Sequence, residues 1–240
     1  MTKALLFDLD GTLLPVDTDR FVEHYVKALI PYVTDYFKPE EFVKILWDST
    51  NEMIKNQDAG LTNEEVFTKH FIEKTGINKS DIWPIFDRFY EEHFPKLKVH
   101  TEPNEMAYKI VETAKEQGRK IIIATNPVFP RAAIHERLNW LGLLDFPFEL
   151  VTVYEESHFC KPQPLFFKEA LDRANLSPDN AIMIGNDMQE DMVASQIGMD
   201  TYLVTDYLVD RGKPTYKVTQ TGTLDDLMQQ LKAKKNVFAF

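Results

Sequence analysis

Ala4-Leu5-Leu6-Phe7-Asp8-Leu9-Asp10-Gly11-Thr12-Leu13-Leu14 is an apolar run that ends in two carboxylates. Residues 4–7 show no polar alternation, which marks a strand buried on both faces, as in a parallel sheet. One residue separates Asp8 from Asp10, so in extended backbone both side chains leave the same face. Gly11 permits the turn that must follow. Two carboxylates this close repel each other unless a cation or a shared proton relieves them. A hard divalent cation such as Mg²⁺, which prefers oxygen ligands, would do so. Taken alone, the stretch also suits a strand end with an Asp-Gly turn and no chemistry.

The 240 residues suffice for one large or two modest domains with a substantial core. Lys and Arg total 27 against 38 Asp and Glu, a formal charge of -11. That balance argues against a nucleic-acid polymer as partner. It leaves room for a small anionic substrate, because a bound divalent cation reverses the local sign. No apolar run is long enough to span a bilayer, and no signal-peptide pattern opens the chain. Cys160 is the only cysteine, so an intramolecular disulfide and a thiolate metal cluster are both excluded within one chain. A cytoplasmic protein is expected, as a monomer or a weak homodimer, with no membrane partner.

After Pro15-Val16-Asp17-Thr18-Asp19 the apolar spacing turns helical. Phe21, Tyr25, Ala28 and Leu29 share one face, with Pro31 near the end of the run or at a kink. Pro39-Glu40-Glu41 opens a second helix, Thr62 with Glu65 forms a capping box for a third, and Ser80 starts a fourth. This helical unit stands between the first strand and the next, with residues 15–19 and 95–101 as its linkers and hinges. Arg20, Tyr25, Lys44, Trp47, Asn51 and Asn56 are its candidates for facing a substrate, although aromatic residues here also serve helix packing.

The α/β pattern then resumes. Strands are expected over 120–124, 150–153, 181–184 and 201–204, with helices over 102–117, 130–139, 165–173, from 192 to near Gly198, and 224–235. Thr125 and Asn126 stand at a strand's carboxyl end, where parallel sheets bind ligands. Lys161 is the best single cation for the site. Asp187 and Asp191 follow the fourth strand, four residues apart, and form a second acid cluster that would share a cation with the first. His158 and Cys160 lack a partner at zinc-site spacing. The apolar tail 237–240 is expected to pack on the core or against another subunit.

These stretches resemble, in order, the four motifs of the haloacid dehalogenase-like hydrolases, most of whose members are phosphatases. Asp8-Leu9-Asp10-Gly11-Thr12 resembles the first, Ile122-Ile123-Ala124-Thr125-Asn126 the second, Lys161-Pro162 the third, and Gly185-Asn186-Asp187 with Asp191 the fourth. Asn186 departs from members in which Gly and Asp are adjacent. The resemblance implies a Rossmann-like α/β core over 1–18 and 98–240 and an all-helical cap over 19–97 that closes on the site.

It further implies a Mg²⁺-dependent phosphomonoester hydrolase acting on a small phosphorylated metabolite or nucleotide. Asp8 would be the nucleophile that forms an aspartyl-phosphate, and Asp10 the general acid and base. Thr125, Asn126 and Lys161 would bind the phosphate. The Asp8 carboxylate, the Asp10 carbonyl and Asp187 would hold the metal, with Gly11, Thr12 and Asp191 in support. A sugar-phosphate mutase and a non-catalytic protein-binding module on the same fold are the alternatives. Dehalogenation fits less well, since Asp10 supplies an acid that carbon–halogen cleavage does not need.

Overall fold

The computed structural model describes residues 3–102 and 104–239. Pro103, inside the helix expected over 102–117, and Phe240, the end of the apolar tail, lie outside the described residues, as do residues 1 and 2.

Ala4–Phe7 forms β1, buried along its whole length. It runs parallel to β2 (Ile121–Ile123) on one side and to β4 (Ala181–Gly185) on the other. Leu6 is in register with Ile122 and Met183. β3 (Leu150–Val151) lies beyond β2, and β5 (Asp200–Val204) and β6 (Gln220–Gly222) lie beyond β4, giving the order β3-β2-β1-β4-β5-β6. Every pairing is parallel. Alternation divides the core. Leu5, Phe7, Ile182 and Ile184 pack on one face, and Leu6, Ile122, Ala181 and Met183 on the other.

Two strand expectations need correction. β6 carries no apolar signal because it is a half-exposed edge, held to β5 by backbone pairing such as Leu203 with Thr221. The third strand ends at Val151 and not at 153: the Thr152 amide makes a last bond to Ile123 O at 3.0 Å, and its hydroxyl donates to the carbonyl of Thr125 at 2.6 Å.

The helices between β1 and β2 are α1 (Thr18–Val33), α2 (Pro39–Lys55), α3 (Asn63–Thr75) and α4 (Lys79–Glu92). Pro31 lies inside the last turn of α1 and does not stop it. The Thr62–Glu65 capping box opens α3 as expected, and Gly76, at φ 68°, closes it. Phe21, Phe42, Phe71 and Phe89 are fully buried at the centre of this layer. Edge-to-face pairs such as Tyr25–Phe89 and Phe71–Phe86, both 5.8 Å between centroids, hold it together. A 3₁₀ turn over Phe94–His100 leads back to the sheet, and Phe94 stacks on Trp140 at 5.6 Å.

The sheet is flanked by α5 (Glu105–Glu116), α6 (Arg131–Trp140), α7 (Pro164–Arg173) and α8 (Leu224–Ala233). Residues 192–197 form a 3₁₀ helix and not the expected α-helix. Met192, Val193 and Ala194 are buried consecutively, whereas an α-helix on a surface turns a polar face outward every few residues. The tail packs on its own core: Phe238 is buried beside Tyr202, and its carbonyl accepts from Arg119 Nη2 at 2.6 Å. Among the described residues, no helix is long and apolar enough to cross a membrane.

Candidate active site

The carboxyl ends of β1, β2 and β4 converge, and with them the residues that the sequence singled out. The chain leaves β1 at Asp8, whose amide still donates to Ile184 O at 2.9 Å. It turns back at Gly11, where φ is +78° and an added Cβ would lie 2.3 Å from Asn186 Nδ2. Only glycine meets both conditions. Thr12 Oγ1 lies within reach of Asp8 Oδ2 at 3.3 Å and Asn186 Oδ1 at 3.1 Å.

Lys161 is 1% exposed and donates to Asp8 Oδ1 at 2.8 Å and to Asp191 Oδ1 at 2.6 Å. Burial opposes its charge, but Asp191 and Asp8 outweigh burial and hold its pKa above the ordinary lysine value. Burial likewise pushes the carboxyl of Asp191 up, against the ammonium of Lys161. The other oxygen of Asp191 accepts from the Asp187 amide at 2.9 Å. Gly185 leaves room for this, since a Cβ there would sit 2.1 Å from Asp191 Oδ2. Asp191 is therefore a buried brace under Lys161, and the turn between Asp187 and Asp191 is closed both by its side chain and by its amide, which donates to the Asp187 carbonyl at 2.9 Å.

Asn126 joins two loops. Its Oδ1 accepts from the Lys161 amide at 3.1 Å, and its Nδ2 donates to Glu190 Oε2 at 3.1 Å. Thr125 is buried at the end of β2 and lines the same cleft. Asp187 Oδ1 accepts from the amides of Gln189 and Glu190, each at 2.9 Å. Arg211 Nη1 reaches both oxygens of Asp187, at 2.9 and 2.7 Å.

Asp10 lines the same cleft but is paired apart from the Lys161 cluster. Its Oδ2 pairs with Arg137 of α6, which is fully buried, while its Oδ1 is buried without a hydrogen-bond partner. Burial raises the pKa of Asp10, and Arg137 opposes that rise. The Arg137 guanidinium also lies 4.5 Å from the centroid of Phe129.

Arg137, Arg211 and Glu190 carry more of this geometry than the sequence suggested. Arg137 left a signal. Ala133, Ile134 and Leu138 line the buried face of α6, and position 137 belongs to that face, so an arginine there needs a buried partner. Arg211 comes from a loop with no periodicity and left none. His158 and Cys160 take no part: His158 Nδ1 is 2.6 Å from Glu169 Oε1, and Cys160 is buried, with its thiol pKa pushed up by burial.

A cleft of about 1260 Å³ separates this floor from α1–α4. Of the expected substrate-facing residues, Tyr25 and Trp47 line it, whereas Arg20, Lys44, Asn51 and Asn56 do not. Asn56 instead donates to the carbonyls of Asp58 and His158 at 3.0 and 3.3 Å.

Among the described residues, no three His, Cys, Asp or Glu side chains gather closely enough to hold a metal ion by themselves. A cation here would draw on Asp8, Asp187 and a backbone carbonyl. The residues suit one, because Asp8, Asp10, Asp187, Glu190 and Asp191 outnumber Lys161, Arg137 and Arg211 at the floor, and the donors are hard oxygens.

Acids gathered with a buried lysine at the carboxyl edge of a parallel sheet, beneath a helical layer, make the site of an α/β enzyme. The family model described as haloacid dehalogenase-like hydrolase matches residues 5–204, and the chain belongs to that family. A relative, the pyrophosphatase PpaX of Bacillus mycoides (strain KBAB4), is 25% identical over 234 residues, covering 95% of this chain and 98% of the relative. Two solved structures share the fold. The HAD phosphatase from Thermococcus onnurineus has a TM-score of 0.55 at 22% identity, covering 98% of this chain and 100% of that one. The L-2-haloacid dehalogenase from Xanthobacter autotrophicus has a TM-score of 0.58 at 12% identity, with the same coverage.

Proposed function

We propose that this hydrolase is a Mg²⁺-dependent phosphomonoesterase that works through an aspartyl-phosphate on Asp8, with small phosphorylated molecules as substrates. The observation that carries this reading is the buried Lys161 bridging Asp8 and Asp191 at 2.8 and 2.6 Å. A lysine held protonated against Asp8 fixes that carboxylate's orientation and offsets the charge of an incoming phosphoryl group.

Asp8 Oδ2, opposite the lysine, attacks phosphorus in line as the ester oxygen leaves. Asp10 protonates that oxygen and then takes a proton from the water that cleaves the aspartyl-phosphate. Its partnerless Oδ1 and raised pKa suit a group that carries a proton. Thr125 and the loop amides after β1 and β2 hold the transferred oxygens, and Asn126 fixes the Lys161 loop. The Asp8 carboxylate, the Asp10 carbonyl and Asp187 would hold Mg²⁺, which supplies positive charge to the phosphoryl oxygens. The helices over 19–97 act as a cap on the core of 1–18 and 98–240, and residues 15–19 and 95–101 are its hinges.

The name of the PpaX relative favours a second reading, hydrolysis of inorganic pyrophosphate at the same floor. Phosphate release from a panel of phosphomonoesters and pyrophosphate, with Mg²⁺ or EDTA, tests both. Release that needs Mg²⁺ and disappears in Asp8→Asn is expected. Release that survives Asp8→Asn overturns the nucleophile, and no release from any member overturns the hydrolysis.

A further inference from the structure

The part of the cleft above the carboxylate floor says what the phosphate is attached to. At about 1260 Å³ the cleft exceeds the range of about 300–1,000 Å³ common for small-molecule sites, so it is built for more than a phosphoryl group. Its wall is α4, which presents Trp83, Phe86, Asp87, Tyr90 and Glu91, positions that recur three and four apart and so form one face. Tyr25, Phe67 and Tyr154 line the cleft beside it: the Tyr25 and Tyr90 hydroxyls share a hydrogen bond at 2.8 Å, and Phe67 packs edge-on to Trp83 at 6.3 Å.

The charge on this wall has one sign. Asp87 and Glu91 have no ion-pair partner among the described residues, and Arg88, next in the chain, sits over Tyr32, 5.5 Å from its centroid. Glu64 is already answered by Lys79 at 2.8 Å, and Glu155 by the Arg131 amide at 2.8 and 3.1 Å. Arg211 is the one cationic side chain lining the cleft among the described residues, and it is committed to Asp187. At the base, Asp10 lines the same space.

Aromatic rings beside the exposed, unpaired carboxylates of Asp87 and Glu91 attract a cation and repel an anion. The geometry points to a phosphomonoester whose alcohol has an apolar body bearing a cationic nitrogen. It argues against acidic substrates such as phosphoglycolate or pyrophosphate. This rests on the phosphomonoesterase reading and names the substrate class of that site.

The test compares kcat/KM for phosphocholine, its uncharged isostere 3,3-dimethylbutyl phosphate, and phosphoglycolate, with 4-nitrophenyl phosphate as a general probe of Mg²⁺-dependent release. We expect phosphocholine to exceed the isostere about tenfold or more, with phosphoglycolate slowest. The double variant Asp87→Asn with Glu91→Gln brings the ratio of the first two towards one, whatever its absolute rates. If 4-nitrophenyl phosphate is hydrolysed but the isostere or phosphoglycolate matches phosphocholine in the wild type, the cationic preference is refuted and the hydrolase stands. If no ester is hydrolysed, the phosphomonoesterase reading falls and takes this inference with it.

Discussion

Replacing Arg137 by methionine removes the partner of Asp10 and fills the space with an apolar chain. Arg137 is fully buried, its Nε donates to Ala133 O at 3.1 Å, and its guanidinium stacks on Phe129. The variant strands the Asp10 carboxylate, whose second oxygen already lacks a partner. Removing one member of a buried ion pair costs about 3–5 kcal/mol. At roughly 2–4 °C per kcal/mol for a chain of this size, melting should fall by about 6–20 °C.

The deficit should depend on pH. Burial raises the pKa of Asp10 and Arg137 opposes the rise, so without Arg137 the folded carboxyl holds its proton to still higher pH. A raised carboxyl stabilises below its unfolded value and loses that contribution as pH rises through its folded value. Arg137→Met should therefore be further from wild type at about pH 8 than at about pH 5. Asp10→Asn in the same background removes the stranded charge and should recover about 1–3 kcal/mol. Thermal and urea unfolding of the three proteins in EDTA measures all of this. Arg137→Met melting within about 2 °C of wild type, or showing no recovery with Asp10→Asn, would refute the reasoning.

Three further outcomes are expected. Gly185→Ala drives Asp191 away from Lys161 and the Asp187 amide, since the new Cβ would overlap Asp191 Oδ2 at 2.1 Å. It should cost about 1–3 kcal/mol and cut phosphate release about tenfold or more, and wild-type release would disprove it. Burial raises the carboxyls of Asp10, Glu190 and Asp191, the last to about 7 from 3.8. Folded protein thus retains protons that the unfolded chain has released, so stability in EDTA should fall as pH rises from about 4 to about 7, and Mg²⁺ should restore more of it at the upper end; melting curves across that range decide. The Cys160 thiol is buried with its pKa raised, so a thiol reagent should label it only at the rate of unfolding. Rapid labelling of native protein would show that the segment around Lys161 opens freely.

The elements most readable from sequence were those with one dominant local cause. β1, β2 and β4 are central strands, so nearly every side chain is apolar and the run is unmistakable. The Thr62 capping box opened its helix where expected because the motif satisfies backbone donors within four residues. Where stability came from distant pairing, local pattern was silent. β6 exists because β5 offers it a backbone ladder, and the turn through 192–197 takes its form from the core that Met192, Val193 and Ala194 fill.

The site divides in the same way. Asp8, Thr125 and Asp187 are legible because they follow the carboxyl ends of parallel strands, where ligands bind, whereas Lys161 stands out through the resemblance of Lys161-Pro162 to a family motif. The alternation of apolar strands and helical stretches along the chain carried the α/β class and the intervening helices, while the strand order came from the fold. Only the folded chain decided which charges meet. It set Lys161 between Asp8 and Asp191, closed Arg137 on Asp10 and Arg211 on Asp187, and turned one face of α4 into the wall of the cleft. Those contacts join residues as many as 153 positions apart. Electrostatic partnership depends on distance and burial in space, neither of which a local stretch of sequence contains.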